Sequence, residues 1–265
     1  MSDLWLLRHT GWPGAVAGVT QRGPHDPADP ATGHNLGHTA NADHVQVDAL
    51  RRRALDELGV GDHSLVCSDQ IHGTRIAIAN YDDLPQLPRR HGWPYYPEAD
   101  ALITADDRLA LMLFFADCCP VTLYSPDARC GGIAHCGWRG SVANLAGKTV
   151  RALAETFGAP AHGLRALVGP CICAKCYEIG PEVADAVLAL NLPETLHKQD
   201  SSLYLDLLAL NTALLERAGV LSDHIQPLAT CTGCGDIPLH SYRRHGPTVG
   251  RLAAFFALRH SVTET

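Results

Sequence analysis

The stretch running from Ala116 to Gly140, ADCCPVTLYSPDARCGGIAHCGWRG, constrains the fold more tightly than any other part of the chain. Asp117, Cys118 and Cys119 stand ahead of a short apolar run, and a turn passes through Pro126 and Asp127. A second apolar run ends at His135, after which Gly137-Trp138-Arg139-Gly140 opens into a helical pattern. Two such strands deliver a thiol and an imidazole to one edge of a sheet, so the stretch reads as an active-site edge. The competing reading is a buried hairpin whose cysteines pack as small hydrophobes.

Elements to either side are set by periodicity and by breakers. Residues 15–20 suit a strand, and 21–34 form a polar loop rich in Pro, Gly, His and Asp, of a length often tied to function. Residues 44–58 place Val45, Leu50, Ala54, Leu55 and Leu58 at helical spacing, stopped by Gly59. Arg51, Arg52 and Arg53 lie on that helix, and three successive residues cannot share one face, so at most one or two point inward. Strands at 64–67 and 75–79 flank Asp69-Gln70-Ile71-His72-Gly73, where Gly73 permits a sharp turn beside His72. A Pro-rich loop covers 80–98, and strands at 101–104 and 109–115 lead into the central stretch. An amphipathic helix follows at 142–157, then a strand at 165–168, helices at 181–190 and 205–218, and a last apolar segment, strand or helix, at 250–258. Strands and helices mix without strict βα alternation, which favours an α+β or irregular α/β sandwich in one domain spanning residues 1–265.

Composition removes several classes of function. A net charge of −7 does not suit a nucleic-acid binder, which carries a basic face. No apolar run approaches the roughly 18 residues needed to cross a membrane, and the N-terminus carries acid where a signal peptide needs base. The expected location is cytoplasmic. In that compartment ten cysteines read as metal ligands, redox groups or core rather than disulfides, and fifteen histidines strengthen the case for a metal. His25, His34, His91 and His162 sit in polar or Gly/Pro-rich context and are expected to be exposed. Cys173 and Cys176 form a C-x2-C pair, as do Cys231 and Cys234. Brought together by the fold, they would make a four-thiolate zinc site; otherwise they are core or exposed thiols.

His72, Cys118 and His135 each lie at or near the end of an apolar run, close to a turn. Their spacing matches no local metal motif, and a histidine at a strand end is commonly structural. Two imidazoles and one thiolate nevertheless suit zinc, with a fourth position open to water or substrate. The same Cys118 and His135 also suit a nucleophile and its base in a Cys–His hydrolase. Asp117, the nearest carboxylate in sequence, is either a hydrogen-bonding partner to a ligand, a proton-transfer group or a buried structural acid.

The segments DQIHG, FFADCCPVTLY, IAHCGWRGSV, VGPCI with CYEIGPEV, and SYRRHGPTVGR resemble the family variously labelled "laccase domain", multicopper polyphenol oxidase, or purine nucleoside phosphorylase of the peptidoglycan-editing-factor type. The resemblance runs from about Gly18 to Leu258. It implies a single-domain α/β (α+β) fold, a mixed β-sheet sandwich with flanking helices, and a zinc on His72, Cys118 and His135. The implied activity is phosphorolysis of adenosine, inosine, guanosine or methylthioadenosine, together with deamination of adenosine, so that purine nucleosides and phosphate are the partners. Asn35 and Arg51 (Arg52 if the alignment slips) are implied to face the substrate, with Arg139 and Arg243 near the same pocket. Cys119 and Cys136 stand where the family has aliphatic or small residues. Coupled copper sites commonly use His-X-His pairs, and the chain contains none, which favours zinc over copper. The sequence carries no signature of an oligomeric state.

Overall fold

The computed structural model describes residues 4–26, 28, 29, 32–39 and 42–260. Pro27, Pro30 and Ala31 of the polar loop, and Ala40 and Asn41 ahead of the first helix, lie outside the described residues, as do residues 1–3 of the acidic N-terminus. In chain order the first strands are β1 (Trp5–His9), β2 (Ala15–Thr20), β3 (Ser64–Ser68), β4 (Ile76–Ile78), β5 (Arg89–Arg90), β6 (Trp93–Tyr96), β7 (Ala101–Thr104) and β8 (Leu109–Phe115). They continue as β9 (Cys119–Ser125), β10 (Cys130–Cys136), β11 (Arg165–Val168), β12 (Glu178–Ile179), β13 (Leu196–Gln199), β14 (Ser202–Leu205), β15 (Ile225–Pro227) and β16 (Leu252–Leu258). The helices are α1 (His44–Leu58), α2 (Trp138–Val142), α3 (Leu145–Phe157), α4 (Pro181–Leu188), α5 (Leu207–Arg217) and α6 (Tyr242–His245).

Two sheets make a mixed α/β sandwich. One has seven strands in the order β1-β2-β16-β8-β3-β6-β5, the other six in the order β15-β11-β9-β10-β7-β4. Leu111, Leu113 and Phe256 from the first sheet meet Leu102, Ile133 and Leu167 from the second, and this is the central core. The opposite face of the first sheet, through Ala110, Met112 and Phe255, packs on Leu50, Ala54 and Leu58 of α1. The outer face of the second, through Val121, Leu123 and Ala134, packs on α3 and α5. Both faces of β8, β9 and β10 are therefore covered, which is why these strands read as nearly continuous apolar runs rather than alternating ones.

Local chemistry sets the helix ends. Asp43 caps α1 by accepting from the backbone N–H of Val45 and Gln46, and Gly59 closes it in the left-handed region. Val45, expected on the apolar stripe, is 80% exposed, because the buried face of α1 runs through Val47, Leu50, Ala54 and Leu58. The helix expected over 142–157 is two helices. Asn144 sits at φ 57, breaks the run, and caps α3 by accepting from the N–H of Gly147. The final segment is the strand β16, paired on both sides within the first sheet. The Pro-rich loop contains β5 and β6, and an unforeseen small sheet, β12-β14-β13, pairs with neither sheet of the sandwich but packs through Leu205 into the core on the outer face of the second. His34, expected exposed, is buried. All ten cysteines are free. Among the described residues, no helix is long and apolar enough to cross a membrane.

Candidate active site

The β9–β10 hairpin forms as the central stretch implies, with Cys119 opposite Cys136 and Pro120 opposite His135 at its open end. Asp117, at φ 94, bends the chain between β8 and β9 and leaves Cys118 at the strand mouth. His72 comes from the loop after β3. The ligand atoms of His72, Cys118 and His135 lie within 4.8 Å of one another, with Cys118 Sγ 3.9 Å from His72 Nε2.

One fully buried carboxylate organises this group, and it belongs to Asp100, just ahead of β7. Its Oδ1 accepts from His135 Nδ1 at 2.9 Å and from the backbone N–H of His72 at 3.0 Å. Its Oδ2 accepts from the N–H of Ile71 at 3.1 Å and of Gly73 at 2.7 Å. A carboxylate only accepts, so the proton of neutral His135 sits on Nδ1 and the Nε2 lone pair faces the site. The same contacts hold His72 at φ 61, a conformation uncommon outside glycine.

Burial raises the Cys118 thiol, but the imidazoles of His135 and His72 outweigh it and bring the thiol down to about 6. For His135 burial acts downward, while the Cys118 thiolate and Asp100 lift the imidazole to about 9. Burial likewise works against Asp100, yet the His135 N–H and the loop amides hold its carboxyl below the usual range. Without a metal the site is thus a thiolate beside an imidazolium. One thiolate and two imidazole nitrogens at this separation also fit a thiophilic divalent cation with an open position.

Gly137 is required by close approach rather than by its own backbone angles, since φ is −68. A Cβ there would lie 2.8 Å from Cys118 Sγ and 3.3 Å from His72 Cδ2. Gly137→Ala is expected to leave the melting temperature nearly unchanged while weakening metal binding at least about tenfold, the scale on which disturbed ligand support acts. Metal titration beside a thermal melt checks this.

The other residues singled out from the sequence divide into wall and support. Arg139 and Arg243 line the cleft; the Arg139 guanidinium lies 4.3 Å from the Trp138 ring centroid, and that of Arg243 lies 5.0 Å from the Tyr177 centroid. Asp117 borders the cleft, but its carboxylate accepts from Thr232 Oγ1 at 2.6 Å and from the N–H of Arg243 at 2.7 Å, which ties two loops together. Arg51 and Asn35, expected to face the substrate, stand behind the wall. Arg51 is fully buried, donating through Nε and Nη2 to the carbonyl of Leu36 and through Nη2 to the Tyr95 hydroxyl. Its guanidinium lies 5.6 Å from the Trp93 ring centroid and 4.9 Å from that of Phe114. Asn35 Oδ1 accepts from the N–H groups of Gly37 and Arg251. Both therefore support residues that do line the cleft: Tyr95 and Phe114 through Arg51, and Arg251 through Asn35.

The cleft has a volume of about 740 Å³, enough for a nucleoside and an anion. His72, Cys118 and His135 lie on its wall with the aromatic rings of Phe114, Phe115, Trp138 and Tyr177. Arg90, Arg139, Arg243 and Arg251 give it a cationic rim. Arg251 ends the SYRRHGPTVGR segment and is a wall residue that the sequence reading did not single out; His91, exposed as expected, also lines the cleft, stacked on His44 with centroids 3.8 Å apart. Asp100 is the most consequential omission. Its only signal in the sequence is an acid placed immediately before an apolar strand.

A model of the family described as multi-copper polyphenol oxidoreductase laccase matches residues 16–259. The chain is 30% identical over 279 residues to purine nucleoside phosphorylase YlmD of Geobacillus stearothermophilus, covering 99% of this chain and 100% of that one. It is also 30% identical over 242 residues to adenosine deaminase RL5 of an unidentified prokaryote, covering 90% of this chain and 92% of that one. Among solved structures, hypothetical protein YfiH of Bacillus licheniformis superposes with a TM-score of 0.87 at 28% identity, covering 97% of each chain.

Proposed function

This chain belongs to the multi-copper polyphenol oxidoreductase laccase family, and from that premise we propose that it is a zinc-dependent purine nucleoside phosphorylase that also deaminates adenosine. The observation that carries the proposal is the donor set of His72, Cys118 and His135, oriented by Asp100 and opening onto a cleft with aromatic walls and an arginine rim. The chain has no His-X-His pairs of the kind coupled copper centres use, which speaks against a multicopper site, and three ligands with an open fourth position suit a catalytic zinc.

The residues divide the work. Arg139, Arg243 and Arg251 bind and orient phosphate, for which the planar guanidinium is the better-matched cation. Rings at Phe114, Trp138 and Tyr177 bracket the base and exclude water from the glycosidic bond. In phosphorolysis a phosphate oxygen forms the bond to ribose C1′ as the C1′–N9 bond breaks, and the base leaves with the bonding pair. In deamination water adds at C6 and ammonia leaves. Asp100 keeps the His135 proton on Nδ1, so that Nε2 stays available as a ligand. A zinc held by the three ligands supplies Lewis acidity toward a substrate oxygen or water.

Phosphate tests the reaction class. Base release from adenosine is expected to stop when phosphate is replaced by a neutral buffer of other composition, while deamination continues. Base release that ignores phosphate would assign hydrolysis instead.

One observation favours a second reading. A thiol brought down to about 6 beside an imidazole is also the pair a Cys–His hydrolase uses. Turnover by metal-free protein distinguishes the two.

A further inference from the structure

Two short loops meet at one end of the sandwich. Cys171 and Cys231 form an isolated parallel bridge, and the N–H of Thr232 donates to the carbonyl of Cys171 at 3.2 Å. Each loop then turns back on itself: the N–H of Cys176 donates to the carbonyl of Cys173, and that of Gly235 to the carbonyl of Cys231. The second turn requires glycine, because a Cβ at Gly235 would lie 2.6 Å from the Cys231 carbonyl oxygen. The two C-x2-C pairs thereby converge, and the sulfurs of Cys173, Cys176, Cys231 and Cys234 all lie within 4.8 Å of one another.

Packing does not explain this cluster. Cys234 is exposed and Cys173 and Cys176 are half-buried, so the thiols are not serving as core hydrophobes, and no pair is joined. The geometry matches a coordination shell instead. Zn–S bonds of about 2.3 Å in a tetrahedron set an S···S edge of about 3.8 Å, and Cys173 Sγ lies 3.7 Å from Cys234 Sγ. Three backbone amides, of Cys173, Gly233 and Cys234, donate to Cys231 Sγ at 3.3, 3.3 and 3.4 Å. Amides aimed at one sulfur favour its anionic form, the form a metal takes.

We propose that Cys173, Cys176, Cys231 and Cys234 form a closed tetrathiolate zinc site, separate from the His72–Cys118–His135 centre. Four protein ligands leave no open position, so its role is structural. It joins the loop ahead of Tyr177 to the loop ahead of Tyr242 and Arg243. Arg243 Nη1 donates to the carbonyl of Glu178, and Arg244 Nη1 to that of Gly233, so the joined loops position Arg243 on the cleft wall.

The test is metal stoichiometry in the full chain, expressed and purified with zinc present. Wild type is expected to hold two zinc per chain. His72→Ala, which leaves all four thiols untouched, should hold one, and its cobalt-substituted form should show the intense visible and charge-transfer bands of a tetrathiolate centre. The double variant Cys231→Ser/Cys234→Ser should lose one zinc; where it fails to fold, the His72→Ala protein alone decides. A His72→Ala protein that binds neither zinc nor cobalt, or that carries iron in these thiols in place of zinc, overturns the proposal.

Discussion

Replacing Cys118 by alanine is expected to remove both the metal held at the His72–Cys118–His135 centre and the turnover, with kcat/KM falling by at least about 10³-fold, or roughly 4 kcal/mol of transition-state stabilisation. The thiolate is the one anionic donor among the three ligands, and two imidazoles alone hold zinc poorly. The change removes one sulfur from a cleft wall, so the melting temperature of metal-free protein should move little. His72→Ala gives the contrast. If Cys118 is a ligand, losing His72 costs metal and turnover on the same scale as losing Cys118. If Cys118 is a nucleophile paired with His135, the exposed His72 is largely dispensable. Zinc content and kcat/KM for the two variants, measured together, separate these outcomes.

Asp100→Ala should be the most destabilising single change at the site. Four donors lose their acceptor at once: His135 Nδ1 and the N–H groups of Ile71, His72 and Gly73. An unmade buried hydrogen bond costs about 1–3 kcal/mol, and water partly replaces the carboxylate on the exposed side of the His72 loop, so a total of about 3–5 kcal/mol follows. That is a large share of the roughly 5–15 kcal/mol that holds a typical domain folded. Metal affinity should drop a further 10–100-fold, because His135 is no longer fixed in its tautomer and His72 no longer held at positive φ. Asp100→Asn, which keeps the shape but turns a donor toward donors, should fall between. Denaturant midpoints and zinc titrations measure both effects. A wild-type midpoint in Asp100→Ala would show that the carboxylate does not hold the site.

What the sequence disclosed and what it hid follow from the range of the interactions. The hairpin of β9 and β10, the end of α1 at Gly59 and the end of α3 at Gly158 are written in local signals: apolar runs, a turn, a residue that tolerates left-handed geometry. Asp100 was hidden because its partners, His135 of β10 and the loop of residues 71–73, are made neighbours only by sheet pairing, β7 with β10 on one side and β4 on the other. Arg51 misled for a different reason. A charged residue in a shared segment suggests a binding surface, whereas here the guanidinium is buried against the Leu36 carbonyl, the Tyr95 hydroxyl and two rings. The break at Asn144 was masked because apolar spacing continues in phase from Val142 to Leu145. The small sheet has strands of two to four residues, and most of β13 is exposed, so it leaves no apolar pattern to read. For the two C-x2-C pairs the spacing was visible, but the bridge between Cys171 and Cys231 that unites them is a tertiary contact.

The reactivity of the Cys118 thiol, followed by peptide mapping before and after chelation, is the most direct test of whether a metal centre runs this site. Cys119 does not compete for label, since it is fully buried and burial pushes its thiol well up. With zinc bound, Cys118 is expected to resist iodoacetamide, because a coordinating thiolate is occupied by the metal. After chelation turnover should disappear, and alkylation should become fast, its rate rising through about pH 6 and levelling off above, since the acid form lost there is that of a thiol depressed by His135 and His72. Activity restored in proportion to added zinc completes the expected result. A metal-free preparation that turns over adenosine at the full rate while Cys118 is rapidly alkylated would contradict it.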